Sequence, residues 1–91
     1  MVALTSVGAV TRSDILGVIS GLAVQLLDLE PSQVNEDAAF ADDLGVDSLA
    51  LIEFVMAVED ALEISLPEEE LAGVIRFGSL VDLAAQKVAA R

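Results

Sequence analysis

Apolar residues recur at helical spacing along three long segments of the chain and one short segment. In the first long segment, residues 15–27, they fall mainly at every third or fourth position, which is typical of a helix that buries one face. Ser13 is the expected N-cap, and Pro31 lies beyond the end, where a helix cannot continue. The pattern therefore predicts a first amphipathic helix.

A second helix is predicted from Ser48 to Glu63, with Asp47 as its N-cap. With about 100° between successive residues, one narrow stripe of this helix is apolar and is expected to face the core. This stripe consists of Leu51, Val55, Val58 and Leu62. The opposite side mixes apolar and acidic residues, namely Leu49, Ile52, Glu53, Met56, Asp60 and Glu63.

Two further helices are predicted near the C-terminus. Pro67 followed by three Glu residues is typical of a helix start, because Pro fits the first position and acids favour the N-terminal dipole. This third helix is short and ends by Gly78. Ser79 is the expected N-cap of a fourth helix, whose inward residues are Leu80, Leu83, Ala84 and Val88 and whose terminal bases are Lys87 and Arg91.

The segment between the first two predicted helices, residues 30–47, lacks helical periodicity. Loops of this length are uncommon in compact domains and are usually functional. We expect one helical turn over residues 36–41 and contacts of Phe40 and Leu44 with the core. The expected fold is all-α: a small four-helix bundle with three longer helices, one short third helix and a long first loop.

Composition narrows the class of protein. The 91 residues contain 16 acids, 4 bases and no His, for a net charge of −12. We expect one domain over residues 13–91 after an N-terminal segment of residues 1–12. The negative charge disfavours nucleic acid and anionic membranes as partners. The longest uncharged stretch considered for a membrane span, residues 15–27, is too short to cross a bilayer. A cytoplasmic monomer is expected, without a membrane or nucleic-acid partner.

The chain contains no Cys and no His. It therefore lacks a thiol nucleophile, a disulfide, an imidazole base and the usual ligands of zinc. Ser48 is not in the Gly-x-Ser-x-Gly context of a hydrolase, and the segment after Asp42 lacks the Gly and Glu positions of an EF-hand loop. These absences argue against an enzyme and against a metal site.

The stretch Asp-Asp-Leu-Gly-Val-Asp-Ser-Leu, residues 42–49, places an Asp-Ser-Leu triplet at the start of the second predicted helix. It resembles the attachment site of the acyl carrier protein family, and the likeness extends from Asp14 to Val88. The resemblance implies that Ser48 carries a 4′-phosphopantetheine arm donated by coenzyme A, and that Asp47 helps to hold Mg²⁺ in the transferase complex. The local alternative is that Asp47 only caps the helix.

The resemblance implies a carrier without catalytic activity, whose partners are a phosphopantetheinyl transferase, a ketosynthase, an acyltransferase and tailoring enzymes. The pattern after Ser48 and Pro67 is most similar to discrete carriers of bacterial type II polyketide synthases. Phe77 and Gly78 depart from it, because a Thr-Pro pair is more usual there. Met1 favours a free-standing protein. A fatty-acid carrier and an unmodified acidic helical adaptor are the alternatives.

All acids except Asp14 and Asp82 lie within residues 28–70, which contain no base. Apolar residues ringed by charge suit a transient docking surface, because charge steers the encounter and apolar contact supplies energy. The hypothetical docking residues are Leu49, Ile52, Glu53, Met56 and Asp60. The resemblance also implies an acyl slot between the helices. Its candidate residues, for which ordinary core packing is the alternative, are Leu51, Val55, Leu62, Leu66 and Ile75.

Overall fold

The structure is a computed structural model, and it describes residues 10–90. Over these residues the chain forms four α-helices and one short 3₁₀ helix. The α-helices are α1 (Arg12–Leu26), α2 (Ser48–Leu62), α3 (Glu68–Leu71) and α4 (Phe77–Ala90), and the 3₁₀ helix is Pro31–Gln33. The predicted all-α fold, with three longer helices and a short third one, is confirmed.

The core is formed where α1 packs against α2 and α4. Every fourth residue of α1 enters it, namely Ile15, Ile19 and Ala23. The three Phe rings meet at its centre, with Phe40 lying 6.2 Å from Phe54 and 5.8 Å from Phe77 between ring centroids. No polar or charged side chain is buried among residues 10–90. The apolar periodicity of the helices therefore has its expected consequence, an apolar core.

Helix α1 begins two residues earlier than predicted, because its N-cap is Thr11 and not Ser13. Thr11 and Asp14 form a capping box, in which the Asp14 N–H donates to Thr11 Oγ1 at 3.1 Å and the Thr11 N–H donates to Asp14 Oδ2 at 3.0 Å. The hydrogen bond from the Thr11 N–H, with a smaller effect from the Thr11 side chain, lowers the pKa of the Asp14 carboxyl. The prediction of Ser13 was wrong because only Thr11 has an acid three positions ahead for the reciprocal bond.

Helix α2 has the predicted start, and Glu63 follows its last residue as the C-cap. Val55, Val58 and Leu62 are buried as expected, whereas Leu51 is only half-buried. Phe54 was missing from the predicted stripe, but it is among the most deeply buried side chains of the protein. Its ring reaches the core because Phe40 from the long loop packs against it.

The long loop contacts the core through the two predicted residues, but its local secondary structure differs from the prediction. Phe40 is buried and Leu44 packs against the core, which confirms both contacts. The expected helical turn over residues 36–41 is absent. A turn of 3₁₀ helix forms earlier, at Pro31–Gln33, because proline presets the backbone for the first position and the Gln33 side chain accepts the Glu30 N–H at 2.8 Å.

Helix α4 starts at Phe77, so the prediction of Ser79 as its N-cap was wrong. The N–H of Phe77 donates to Ala38 O, and the N–H of Gly78 donates to Glu36 O, both at 2.9 Å. The backbone of the long loop thus accepts the first two N–H groups of α4, a role that a capping side chain otherwise fills, and the Arg76 carbonyl accepts the Ser79 N–H at 3.1 Å. An isolated bridge between Ala39 and Arg76 lies next to these bonds.

Two bases tie segments together at the protein surface. Arg12 pairs with Glu36 of the long loop at 2.6 Å and with Asp82 of α4 at 2.7 Å, and its hydrogen bond lowers the pKa of the Glu36 carboxyl. Lys87 pairs with Glu70 of α3 at 2.8 Å. Arg91, the other predicted terminal base of α4, lies outside the described residues, as does most of the predicted N-terminal segment.

Within residues 10–90, no helix has the length and apolar character needed to span a membrane. The domain bounds of 13–91, the monomeric state and the cytoplasmic location stay predictions. Arg12, which was assigned to the segment preceding the domain, is the first residue of α1.

Candidate functional site

Ser48 is exposed at the first residue of α2, and its position is set by Asp47. The Asp47 carboxylate accepts the Ala50 N–H at 2.8 Å, and the Asp47 carbonyl accepts the Leu51 N–H at 2.9 Å. One residue therefore makes both the side-chain cap and the first backbone bond of the helix. The predicted capping role of Asp47 is confirmed.

A turn just before this site buries one side chain, that of Val46, and leaves the next two residues, Asp47 and Ser48, exposed. Gly45 has φ of +67°, a left-handed conformation that glycine adopts without strain. Val46 is then buried, and its N–H donates to Phe40 O at 2.7 Å. Asp47 and Ser48 emerge to solvent. The accessible hydroxyl is thus held by a turn that is anchored in the core.

The start of α2 is also electrostatically suited to an anion. In the described part of the chain, the N–H groups of Ser48 and Leu49 donate to no acceptor. Free N–H groups and the positive end of the helix dipole attract a phosphate. Helix α2 has 15 residues, so its dipole is well developed. A phosphodiester on the Ser48 hydroxyl is therefore favoured locally, although Asp47 places one negative charge beside it.

Two surface cavities adjoin Ser48. The first measures about 350 Å³ and lies between the long loop and the loop that joins α3 to α4. The second measures about 210 Å³ and lies between α2 and α3. Ser48 and Leu51 border both cavities. An arm attached to Ser48 therefore has two apolar recesses within immediate reach.

The structure brings the five predicted docking residues onto one exposed side of α2. Their positions and that of Ser48 span an arc of about 140° around the helix axis. The apolar members project into solvent: Leu49 is 65% exposed, Ile52 48% and Met56 58%. Glu53 and Asp60 are exposed among them. These residues form the α2 face, by which we mean Leu49, Ile52, Glu53, Met56 and Asp60.

The five predicted slot residues do not share one cavity. Val55 lines the second cavity, and Ile75 lines the first, with its side chain 65% exposed. Leu62 and Leu66 are buried in the core cluster and line neither cavity, whereas Leu51 borders both. The structure therefore separates the candidates into two recesses and a packed interior.

Several cavity residues were not among those predicted from the sequence. Val46 and Val74 line the first cavity, and Leu71 and Ala72 line the second. The sequence signal for Val74 was available, because it directly precedes Ile75 in the same apolar pair. Leu71 follows the run of three Glu residues that marks α3, and it is the apolar residue on that short helix.

The sequence matches the family described as "Phosphopantetheine attachment site" over residues 17–86. It is 38% identical over 79 residues to an acyl carrier protein of Guillardia theta, covering 87% of this chain and 98% of that protein. It is also 38% identical over 77 residues to an acyl carrier protein of Caulobacter vibrioides, covering 85% and 99%. The chain belongs to the acyl carrier protein family. The predicted family is thus confirmed.

This chain matches only part of the length of a third relative. The meromycolate extension acyl carrier protein of Mycobacterium leprae is 34% identical over 73 residues, which cover 80% of this chain but only 64% of that protein. Acyl carrier proteins are carriers without catalytic activity, their cofactor is phosphopantetheine, and they interact with synthase and transferase enzymes in general. The predicted carrier class and cofactor are confirmed on this ground.

The described residues fit this cofactor. Its phosphate needs an accessible hydroxyl and hydrogen-bond donors, and Ser48 provides the hydroxyl at a helix start with free N–H groups. Its pantetheine part needs apolar contacts, which both adjoining cavities provide. When bound, the cofactor supplies the thiol that forms thioesters with acyl groups, and this chain has no Cys of its own.

Proposed function

We propose that Ser48 is the residue that carries the 4′-phosphopantetheine arm, and that the chain shuttles thioester-bound acyl groups between enzymes of polyketide biosynthesis. The observation that supports the site is the exposed Ser48 hydroxyl at the capped start of α2, inside the segment that matches the family. Other exposed serines, such as Ser32 and Ser65, do not begin a long α-helix.

In the proposed modification, Ser48 Oγ forms a bond to the phosphorus atom that bears the pantetheine. The phosphoanhydride bond of coenzyme A breaks, adenosine 3′,5′-bisphosphate leaves, and the hydroxyl proton passes to a base of the transferase or to water. Asp47 Oδ1 is occupied by the Ala50 N–H, whereas its second oxygen accepts no bond within residues 10–90. We assign this oxygen to Mg²⁺ in the transferase complex.

Intact mass spectrometry tests the attachment. The protein is incubated with coenzyme A, Mg²⁺ and a phosphopantetheinyl transferase of broad specificity, and we expect the mass to rise by one arm. Ser48→Ala is expected to abolish the gain, and Ser32→Ala, which removes another exposed hydroxyl, is the matched control. Absence of a gain in the wild type favours the unmodified adaptor, and a gain that persists in Ser48→Ala refutes the assigned site.

We further propose that partner enzymes dock on the α2 face. Three large apolar side chains projecting among acids on one side of a helix have no role in the core, and they match a basic surface with an apolar centre. The partners proposed are the phosphopantetheinyl transferase, the ketosynthase, the acyltransferase and tailoring enzymes.

Charge reversal tests this docking. The double variant Glu53→Lys and Asp60→Lys is expected to slow the modification of Ser48 at low salt by at least about tenfold, because long-range steering is lost. The control, Glu30→Lys and Asp37→Lys, changes the net charge equally at two exposed acids of the long loop. Equal rates for the two double variants would refute a specific α2 face.

For the acyl group, we propose the second cavity as the entrance to a slot. Leu51 and Val55 line it, and Leu62 and Leu66 belong to the buried core cluster of which Val55 is also a member. Widening it with Val55→Ala is expected to increase the protection of a loaded acyl thioester from hydrolysis, and Val18→Ala on the exposed side of α1 is the control. Unchanged hydrolysis in both variants would contradict the slot.

A fatty-acid carrier is the second candidate, and relatives named meromycolate extension acyl carrier protein favour it. The two pathways are separated by loading the modified protein with malonyl groups and presenting it to a polyketide ketosynthase and to a fatty-acid ketosynthase. We expect faster condensation with the polyketide enzyme. The opposite preference would assign the chain to fatty-acid synthesis.

A further inference from the structure

The first cavity beside Ser48 has the size and position of a small-molecule site. Its volume of about 350 Å³ lies within the range of roughly 300 to 1,000 Å³ that is common for ligand sites. The second cavity, at about 210 Å³, is smaller. Because Ser48 is part of the wall of the first cavity, a group attached to its hydroxyl starts at the cavity mouth.

The cavity is lined mainly by apolar side chains. Phe40 and Val46 are buried behind it, and Val74 is half-buried. Ile75 is on its border and is 65% exposed. A large apolar side chain that the core does not cover, next to a recess, offers apolar area for a ligand to bury.

The walls of this cavity are held together by backbone hydrogen bonds. The Phe40 N–H donates to Ile75 O at 3.0 Å, and the Val46 N–H donates to Phe40 O at 2.7 Å. The bridge between Ala39 and Arg76 lies beside them. Ile75 therefore has a fixed backbone although it lies in a loop, so the recess exists before any ligand binds and little ordering is needed.

Polar groups in the cavity walls select among ligands. Asp42 and Asp47 are on its border, and their carboxylates disfavour a second anion. The N–H groups of Ala41 and Ile75 have no acceptor within residues 10–90. A neutral chain with amide carbonyls and an apolar branch fits these walls best, and the pantetheine beyond the phosphate has two amides and a geminal dimethyl group.

We propose that the first cavity is a resting site for the pantetheine arm of Ser48, with the geminal methyl groups against Val74 and Ile75. The proposal rests on the proposed attachment at Ser48. Tethering favours this occupant over a free ligand, because a short link gives an effective concentration in the millimolar range. The site is separate from the second cavity, to which we assign the acyl chain.

The test compares the protein before and after modification by nuclear magnetic resonance. Mass spectrometry first establishes that the arm is attached; if it is not, the proposed function fails at this step and the resting site fails with it. With the arm attached, we expect amide shift changes at Phe40, Val46, Val74 and Ile75, and Overhauser contacts from the geminal methyl protons to Ile75.

The variant Ile75→Ser is expected to reduce the shift changes at Phe40 and Val46 to about half or less, since apolar contact area is lost. Val18→Ser, which changes an exposed apolar residue of α1 outside the cavity, is expected to leave them as in the wild type. Shift changes confined to residues 47–50, or located at Leu71 and Ala72, would overturn the resting site while leaving the attachment at Ser48 intact.

Discussion

Gly78 lies against Glu36 with no room between them for a side chain. A Cβ atom on Gly78 would stand 2.9 Å from Glu36 Cβ and 3.0 Å from the Glu36 carbonyl oxygen. The Gly78 N–H donates to that same oxygen at 2.9 Å. The contact brings the long loop onto the first turn of α4, four residues before Phe40 enters the core. In this chain the contact gives a structural reason for glycine at position 78.

Gly78→Ala is expected to lower the free energy of unfolding by about 1 to 2 kcal/mol, because overpacking against a backbone oxygen outweighs the helix propensity of Ala. Gly21→Ala is the matched control. Gly21 is exposed in α1, and a Cβ there would meet nothing within 4 Å, so we expect a gain of up to about 1 kcal/mol. Urea unfolding followed by circular dichroism measures both, and changes of the same sign would contradict the close contact.

Asp47 is predicted to contribute separately to stability and to modification. Asp47→Ala removes the cap of α2 and is expected to cost about 1 kcal/mol, whereas Asp47→Asn keeps an acceptor for the Ala50 N–H and is expected to stay close to the wild type. Both variants are expected to slow phosphopantetheinyl transfer, because both lose the carboxylate assigned to Mg²⁺. Thermal unfolding and transfer rates measure the two effects. If Asp47→Asn is modified at the wild-type rate, then Asp47 acts only as the cap of α2.

Glu63 adopts a left-handed backbone at the end of α2, with φ of +56°. Residues that carry a Cβ are strained in this conformation, and Gly, which has none, is the residue that most often ends a helix in this way. We expect Glu63→Gly to raise the free energy of unfolding by roughly 0.5 to 1 kcal/mol. Ala61→Gly, at an exposed position two residues earlier within the helix, is expected to lower it by about 1 kcal/mol. Destabilisation by both variants would argue against the strained cap.

The pair between Arg12 and Glu36 predicts a pH dependence of stability. The Arg12 hydrogen bond lowers the pKa of Glu36 from its ordinary value of 4.5. The contribution of Glu36 is therefore complete above about pH 4.5 and is lost as the pH falls through the lower pKa of the folded state. We expect Glu36→Gln to be less stable than the wild type at pH 7, and the difference to shrink on acidification.

Glu69→Gln is the control for this pH series, because Glu69 is an exposed acid of α3 without a partner within residues 10–90. The difference in stability between Glu69→Gln and the wild type is not expected to shrink on acidification as it does for Glu36→Gln. Thermal melting between pH 7 and pH 3 measures both variants. A difference for Glu36→Gln that is independent of pH would show that the ion pair does not contribute.

The start of α2 at Ser48, the proposed attachment residue, was predictable to the residue because its geometry is local. Asp47 caps α2 through a group three residues away, and Gly45 allows the turn that precedes it. The residues exposed on α2 follow from helical spacing alone. Ile75 was assigned to a slot through the family resemblance, and its exposure depends on Ala39 and Phe40 of the long loop, which hold the backbone at Ile75 and Arg76.

The sequence by itself determined the four helices, the family, and the start of α2 at Ser48. Each of these depends on apolar periodicity, on caps within three residues or on a contiguous motif. The tertiary structure decided where α4 begins and which cavities flank Ser48. Phe77 and Gly78 find their acceptors at Ala38 and Glu36, about 40 residues earlier in the chain, and hydrogen bonds between such distant segments form only when the core brings those segments together.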